Sequence, residues 1–170
     1  MIYRSAQRFW PTAAVCLLLL GATAGCQTGS APDSPPTEEA IPFRKDGELT
    51  LIQEGVEVIT LDIEIAATDS SRGRGLMQRR SLPAESGMLF VFPEASLQGF
   101  YMANTSMSLD FFFIGADSVV VNTVKYAAPL SLDTIASTGP VLWVLEVPAG
   151  FIDTYGLVSG DRVSWGRTGE

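Results

Sequence analysis

The 170-residue chain contains no histidine. The side chain that most often serves as general base near neutral pH, and most often ligates transition metals, is therefore missing. Ser-His-Asp and Cys-His catalysis and histidine-based zinc sites are excluded. Chemistry is left to carboxylates, Arg, Lys, Tyr and hydroxyls. Two acids stand out by context: Asp110 lies between Leu109 and Phe111-Phe112-Phe113, and Glu146 shares the face of Leu142 and Val144 within Leu142 to Val147. A carboxylate in so apolar a run is partly buried and needs a partner. The two acids could form an acid/base pair with pKa values pushed apart, as in glycosidases, with carboxyl groups about 5 to 10 Å apart across a cleft. Alternatively each neutralises an arginine structurally, with Arg74 and Arg79 the obvious partners, and this is the commoner use of a strand acid.

Arg72, Arg74, Arg79 and Arg80 form a local basic patch in an acidic chain. On one helix Arg72 and Arg79, two turns apart, would share a face and could grip a carboxylate, phosphate or anionic head group through bidentate hydrogen bonds. Against that stands internal pairing of one or two of them with Asp110 or Glu146. The run Phe100-Tyr101-Met102-Ala103-Asn104-Thr105 mixes aromatic rings with amide and hydroxyl groups. If it is a strand, Tyr101, Ala103 and Thr105 share one face. A ring beside an amide suits a sugar or peptide ligand, although packing and a strand-end role for Asn104 would account for the same residues. Met77, Met88, Met102 and Met107 are read as core packing rather than a soft copper site. No metal or cofactor is expected.

The elements that must position these residues follow from periodicity. Glu48 to Ala66 alternates, with Leu61, Ile63 and Ile65 on one face and Asp62 and Glu64 on the other; Gly55 breaks it as a turn. Thr68 or Asp69 can cap a short helix over Ser70 to Arg80, weakened by Gly73 and Gly75 at about 1 kcal/mol each and ended by Leu82-Pro83. Strands are predicted over Gly87 to Phe92, Gln98 to Thr105, Leu109 to Ile114, Val119 to Tyr126, Val141 to Val147 and Arg162 to Trp165. Pro129 to Pro140 reads as a loop, and Ala149 to Leu157 as a turn or short helix. The class is mostly β (α+β), a small β-barrel or rolled antiparallel sheet with one or two short helices.

Five ordered motifs also carry a resemblance. Arg72 to Arg79, with Gly75-Leu76-Met77, Gly87-Met88-Leu89-Phe90-Val91-Phe92, Phe100 to Thr105, Leu109-Asp110 and Val144-Leu145-Glu146 are similar, in order and spacing, to the signature of the domain-of-unknown-function 192 family, over about Ile59 to Trp165. The resemblance implies a small β-dominated domain, often exported, without an established activity. Tyr101 stands where the family has Trp, Ala103 where it often has Lys and Ser108 where it often has Pro. A family activity resting on that Lys would be lost here.

Residues 1–25 read as a signal peptide: Arg4 and Arg8 form its positive region, and Ala13 to Ala22 an apolar run of about ten residues, half of a membrane span. Thr23-Ala24-Gly25-Cys26 resembles a bacterial lipobox, with Thr23 where Leu is usual; ordinary cleavage before Gly25 is the alternative. Cys26 would be the only cysteine of the mature chain, and lipidation accounts for it. Residues 26–42, rich in Pro, Ser, Thr and acid, read as a disordered tether. The domain is expected over 43–166, with 167–170 a tail. Net charge is −8, and nucleic acid is not an expected partner because counterion release needs a basic footprint.

These readings point to a domain of the cell envelope or periplasm, lipid-anchored to the bilayer through Cys26, and to a non-catalytic binding or accessory module. The expected pocket lies between the Arg72 to Arg80 and Phe100 to Asp110 segments. There Arg74 and Arg79 would hold an anionic or carbohydrate-like ligand, Tyr101 and Asn104 would orient it, and Asp110 and Glu146 would brace the arginines. The competing expectation is a metal-independent glycan hydrolase using Asp110 and Glu146. A third is docking of an envelope protein through an edge strand or apolar patch.

Overall fold

The computed structural model describes residues 41–169. The segments expected as a signal peptide and, save its last residues, as a tether, together with Cys26, lie outside the described residues. Nine strands and two short helices follow in chain order: β1 Gly47–Gln53, β2 Val56–Ala66, α1 Asp69–Arg74, β3 Ser86–Ser96, β4 Gly99–Phe100, β5 Leu109–Ile114, β6 Val120–Ala127, β7 Ile135–Ala136, β8 Val141–Pro148, α2 Phe151–Tyr155 and β9 Arg162–Arg167. Seven of the strands form one sheet in the order β6-β5-β8-β3-β2-β1-β9, and β4 pairs with β7 in a separate ribbon. The sheet curls into a half-barrel whose edges touch at one end, where Val119 bridges Arg162.

The β1–β2 hairpin forms where the alternation predicted it, turning at Glu54 and Gly55. The sheet is not wholly antiparallel: β2 and β3 run parallel, Asp62 opposite Ser86 through Ala66 opposite Phe90. Parallel neighbours need a crossover connection of a dozen or more residues, and residues 67–85, containing α1, supply it. β9 reaches Arg167, which pairs with Gly47, so the last strand runs beyond the expected domain end.

Alternation sends side chains to two apolar layers. Inside the curl, Leu49, Leu61, Ile63, Leu89, Phe112, Leu145, Val147 and Val163 pack against Phe151 and Ile152 of α2. On the opposite face, Met88, Phe90, Leu109, Phe111, Phe113 and Val144 are covered by Leu76, Met102 and Phe100 from outside the sheet. Strand β5 is therefore buried on both sides. Phe111, Phe112 and Phe113 are wholly inaccessible, each burial stabilising by roughly 1.5–3 kcal/mol.

Two predicted elements are shorter than expected. Helix α1 starts with a capping box between Thr68 and Ser71, and ends at Gly75, whose φ of 48° leaves the helical region. Arg79 therefore does not share a helix face with Arg72. The predicted strand from Gln98 to Thr105 survives only as β4. Its remainder is a turn, with Asn104 left-handed at φ 53°, a conformation Asn tolerates better than most residues.

Candidate functional site

The outer face of the sheet is closed by the turn after α1 and by the loop after β4, which are stitched together. The Gln78 N–H donates to the Asn104 carbonyl at 2.8 Å and the Ser106 hydroxyl to the Arg79 carbonyl at 3.2 Å. The Met102 N–H donates to the Ser131 carbonyl at 2.9 Å. Between turn, loop and sheet lies a cavity of about 220 Å³. Its walls are Leu76, Phe90, Phe92, Phe100, Met102 and Leu109, with Glu146 rising from β8 and Arg72, Arg74 and Tyr101 also in the lining. Phe100 is the hub of the wall, meeting Phe90, Phe92, Phe111 and Phe113 at centroid distances of 5.0–6.4 Å.

Four carboxylates are buried among the described residues. Asp161 accepts the Val158 N–H at 2.8 Å and the Gln53 side-chain amide at 3.2 Å, and the partners of the other three differ. Glu64 on β2 takes both guanidinium nitrogens of Arg79, at 2.8 and 2.7 Å, and also the Arg44 backbone N–H at 2.8 Å. Arg79 is thus consumed in a buried ion pair and does not line the cavity. Sequence reasoning placed Glu64 on a polar face and missed this pair. The signal available was the acid's position on the same strand as the buried Ala66, before a crossover that folds back over it.

Asp110 is fully buried and braces no arginine. The β5–β6 pairing slips between Leu109 opposite Ala127 and Phe111 opposite Val124, so two residues of β6 oppose one of β5. Such a bulge releases a backbone donor from the ladder. The Tyr126 N–H turns instead to Asp110 Oδ1 at 2.8 Å, while Oδ2 accepts the N–H groups of Gly150 and Ile152 at the start of α2, each at 3.0 Å. Asp110 is a backbone clamp that fixes the bulge and caps a helix end.

Glu146 is the exception. It is 6% exposed and has no hydrogen-bond or ion-pair partner among the described residues. Burial alone pushes its carboxyl up from 4.5 to about 8, so it is protonated at neutral pH. It does not pair with Asp110. Glu146 stands opposite Phe111, and Asp110 opposite Val147, so the two acids point to opposite faces of the sheet. The carboxylate pair that glycoside cleavage needs is not assembled.

The remaining predicted residues separate. Arg72 donates to the carbonyls of Ala67 and Val91 at 2.6 and 2.8 Å and pairs with Asp69, its guanidinium 5.4 Å from the Phe92 ring centroid. It clamps α1 to β3. Arg74 is exposed, has no ion-pair partner among the described residues, and borders the cavity. Tyr101 also borders it and is 57% exposed. Asn104 lies outside the lining and serves the turn. Among the described residues no group of three Asp, Glu, Cys or His is placed to hold a metal.

The profile of the family described as uncharacterized ACR, domain of unknown function 192, matches residues 50–165. The chain belongs to that family. The DUF192 domain spans the sheet from β1 to β9 and includes the whole cavity. A crystal structure from Sinorhizobium meliloti 1021, described as a candidate transcription regulator, is similar at 34% identity and a TM-score of 0.69, covering 75% of this chain and 98% of that one. A protein of unknown function from Novosphingobium aromaticivorans DSM 12444 is similar at 29% identity and a TM-score of 0.66, covering 85% of this chain and all of the other. No functionally curated protein matches.

Proposed function

We propose that this DUF192 domain is a non-catalytic binding module for a small organic anion, tethered at the membrane of the cell envelope by a lipid on Cys26. The observation carrying the first part is one cavity that holds both an unpaired surface cation, Arg74, and a buried carboxyl without a protein partner, Glu146. Buried polar groups are ordinarily satisfied. Among the described residues every side-chain polar atom sealed from solvent has a partner, so the unpartnered Glu146 oxygens open into the apolar cleft, where a ligand can meet them. The walls are mainly apolar, which favours a ligand with an apolar body and a charged end over a sugar ringed by hydroxyls. A nucleic-acid role like the one suggested for the Sinorhizobium protein is opposed by the net charge of −8.

A two-dimensional amide NMR titration with pentanoate, benzoate and inorganic phosphate tests the cavity. Carboxylates are expected to shift the amides of Leu76, Met102 and Thr105, more weakly in Arg74→Ala. Shifts confined to residues outside the lining would sink the reading. The anchor is tested by the intact mass of the protein from membrane and soluble fractions. A membrane species beginning at lipid-modified Cys26 supports it, and a soluble species beginning at Gly25 removes it. A second reading is docking of an envelope protein, supported by Leu97, Leu130 and Leu132, which are 61–77% exposed. Leu130 and Leu132 flank Ser131, which bonds Met102 of the cavity wall. Substituting the three by Ser would then abolish capture of that partner while leaving the carboxylate titration intact.

A further inference from the structure

We propose, resting on the binding-module reading, that the ligand is a small zwitterion, its ammonium seated against Glu146 and its carboxylate against Arg74. The four buried acids of this domain carry the argument. Asp161 has the Val158 N–H and the Gln53 side-chain amide. Glu64 has a bidentate guanidinium and a backbone N–H, and Asp110 has three backbone N–H groups. Glu146, on the same sheet face as Glu64 with Met88 between them, has none. The chain therefore supplies donors to three of its buried carboxyls and leaves the fourth facing a cavity.

The nearby arginines do not fill that role. Arg79 is bound to Glu64 and Arg72 to the carbonyls of Ala67 and Val91 and to Asp69. Arg74 borders the same cavity, yet the Glu146 carboxyl is perturbed by burial alone and by no cation. Two unpaired groups of opposite tendency thus sit at separate points of one cleft. A ligand satisfying both carries a donor cation at one end and an anion at the other. Aromatic rings, here Phe90 and Phe100, favour an ammonium. The volume of about 220 Å³ is below the roughly 300–1,000 Å³ of pockets for drug-sized ligands, and suits a ligand of about the size of an amino acid or ω-aminocarboxylate.

Binding then has a proton signature. In the free protein at pH 7 the Glu146 carboxyl, pushed by burial up to about 8, is mostly protonated. A ligand ammonium keeps its own protons and favours the carboxylate form, so the Glu146 O–H bond breaks and its proton passes to the buffer. A ligand that presents only a carboxylate would instead need Glu146 to stay protonated.

The test is titration calorimetry of the full-length protein at pH 7 in phosphate and in Tris, whose ionisation enthalpies differ. The probes are 4-aminobutanoate, 5-aminopentanoate and 6-aminohexanoate, against pentylamine and pentanoate. At least one aminocarboxylate is expected to bind about tenfold or more tightly than either monofunctional probe, with net release of protons to the buffer. Glu146→Gln should remove the proton release and weaken binding at least about tenfold; Arg74→Ala should weaken binding but keep the release. The proton count is read on the unsubstituted protein, so it stands even if a variant misfolds. Pentanoate binding as tightly as 5-aminopentanoate, without proton release, overturns the zwitterion and leaves the anion-binding module standing. No binding by any probe at concentrations on the order of 10 mM overturns both.

Discussion

Glu146→Gln should leave the domain nearly unchanged in stability at pH 4.5 and stabilise it progressively up to pH 8. Burial raises this carboxyl from 4.5 to about 8 in the folded protein, while in the unfolded chain it returns to the ordinary value. Between those limits the folded state keeps a proton that the unfolded state has released, so stability falls as pH rises. Below 4.5 both states are protonated, and above about 8 both are ionised, so the dependence flattens. Each pH unit inside the window is worth about 1.4 kcal/mol, giving a total loss of up to about 5 kcal/mol. An amide of the same shape cannot ionise and loses none of it. Urea denaturation of both proteins at intervals from pH 4.5 to 8.5 measures the difference. Asp46, held below the ordinary carboxylate range first by its hydrogen bond to Arg44, loses stability as pH falls, but it does so in both proteins and cancels in the comparison. A difference between the two proteins that changes by less than about 1 kcal/mol over that range would refute the buried, unpartnered carboxyl, and with it the basis of the ligand proposal.

Other outcomes follow from the same contacts. Arg79→Leu strands the Glu64 carboxylate in a buried site and should cost about 3–5 kcal/mol, most of it recovered in the double variant with Glu64→Leu; a single-variant loss near zero in denaturant melts would mean the pair is solvated. Asp110→Ala leaves the N–H groups of Tyr126, Gly150 and Ile152 without their acceptor. It should destabilise by at least about 3 kcal/mol and speed hydrogen exchange at Gly150 and Ile152, whereas unchanged protection there would contradict the clamp. Gly87→Ala places a methyl group 2.6 Å from the Glu146 carbonyl oxygen, while the same change at Gly73 in α1 meets nothing within 4 Å. Thermal melts should show the first destabilised by about 1–3 kcal/mol and the second stabilised by up to about 1 kcal/mol.

Much of this protein is determined by its sequence alone, because periodicity is a local property. The alternation of β1 and β2, the doubly apolar β5, the start of α1 at Thr68 and the buried environments of Asp110 and Glu146 are all readable from neighbours within a few residues. The run from Tyr101 to Thr105 misled because its mix of aromatic, apolar and hydroxyl residues suits a strand locally, whereas Met102 and Thr105, three apart, are buried by a turn folded over the sheet. Helix α1 stopped at Gly75 because a single left-handed residue outweighs the favourable residues beyond it. Partnership was another matter. That a buried acid needs donors is local chemistry, but which donors it meets depends on how separate strands are aligned. The parallel seating of β2 beside β3 carries Arg79 back to Glu64. The bulge of β6 supplies Tyr126 to Asp110. The register of β5 against β8, one residue apart, sends Asp110 and Glu146 to opposite faces and leaves Glu146 alone in its cavity. Strand register is set by long-range packing, which no window of the chain contains.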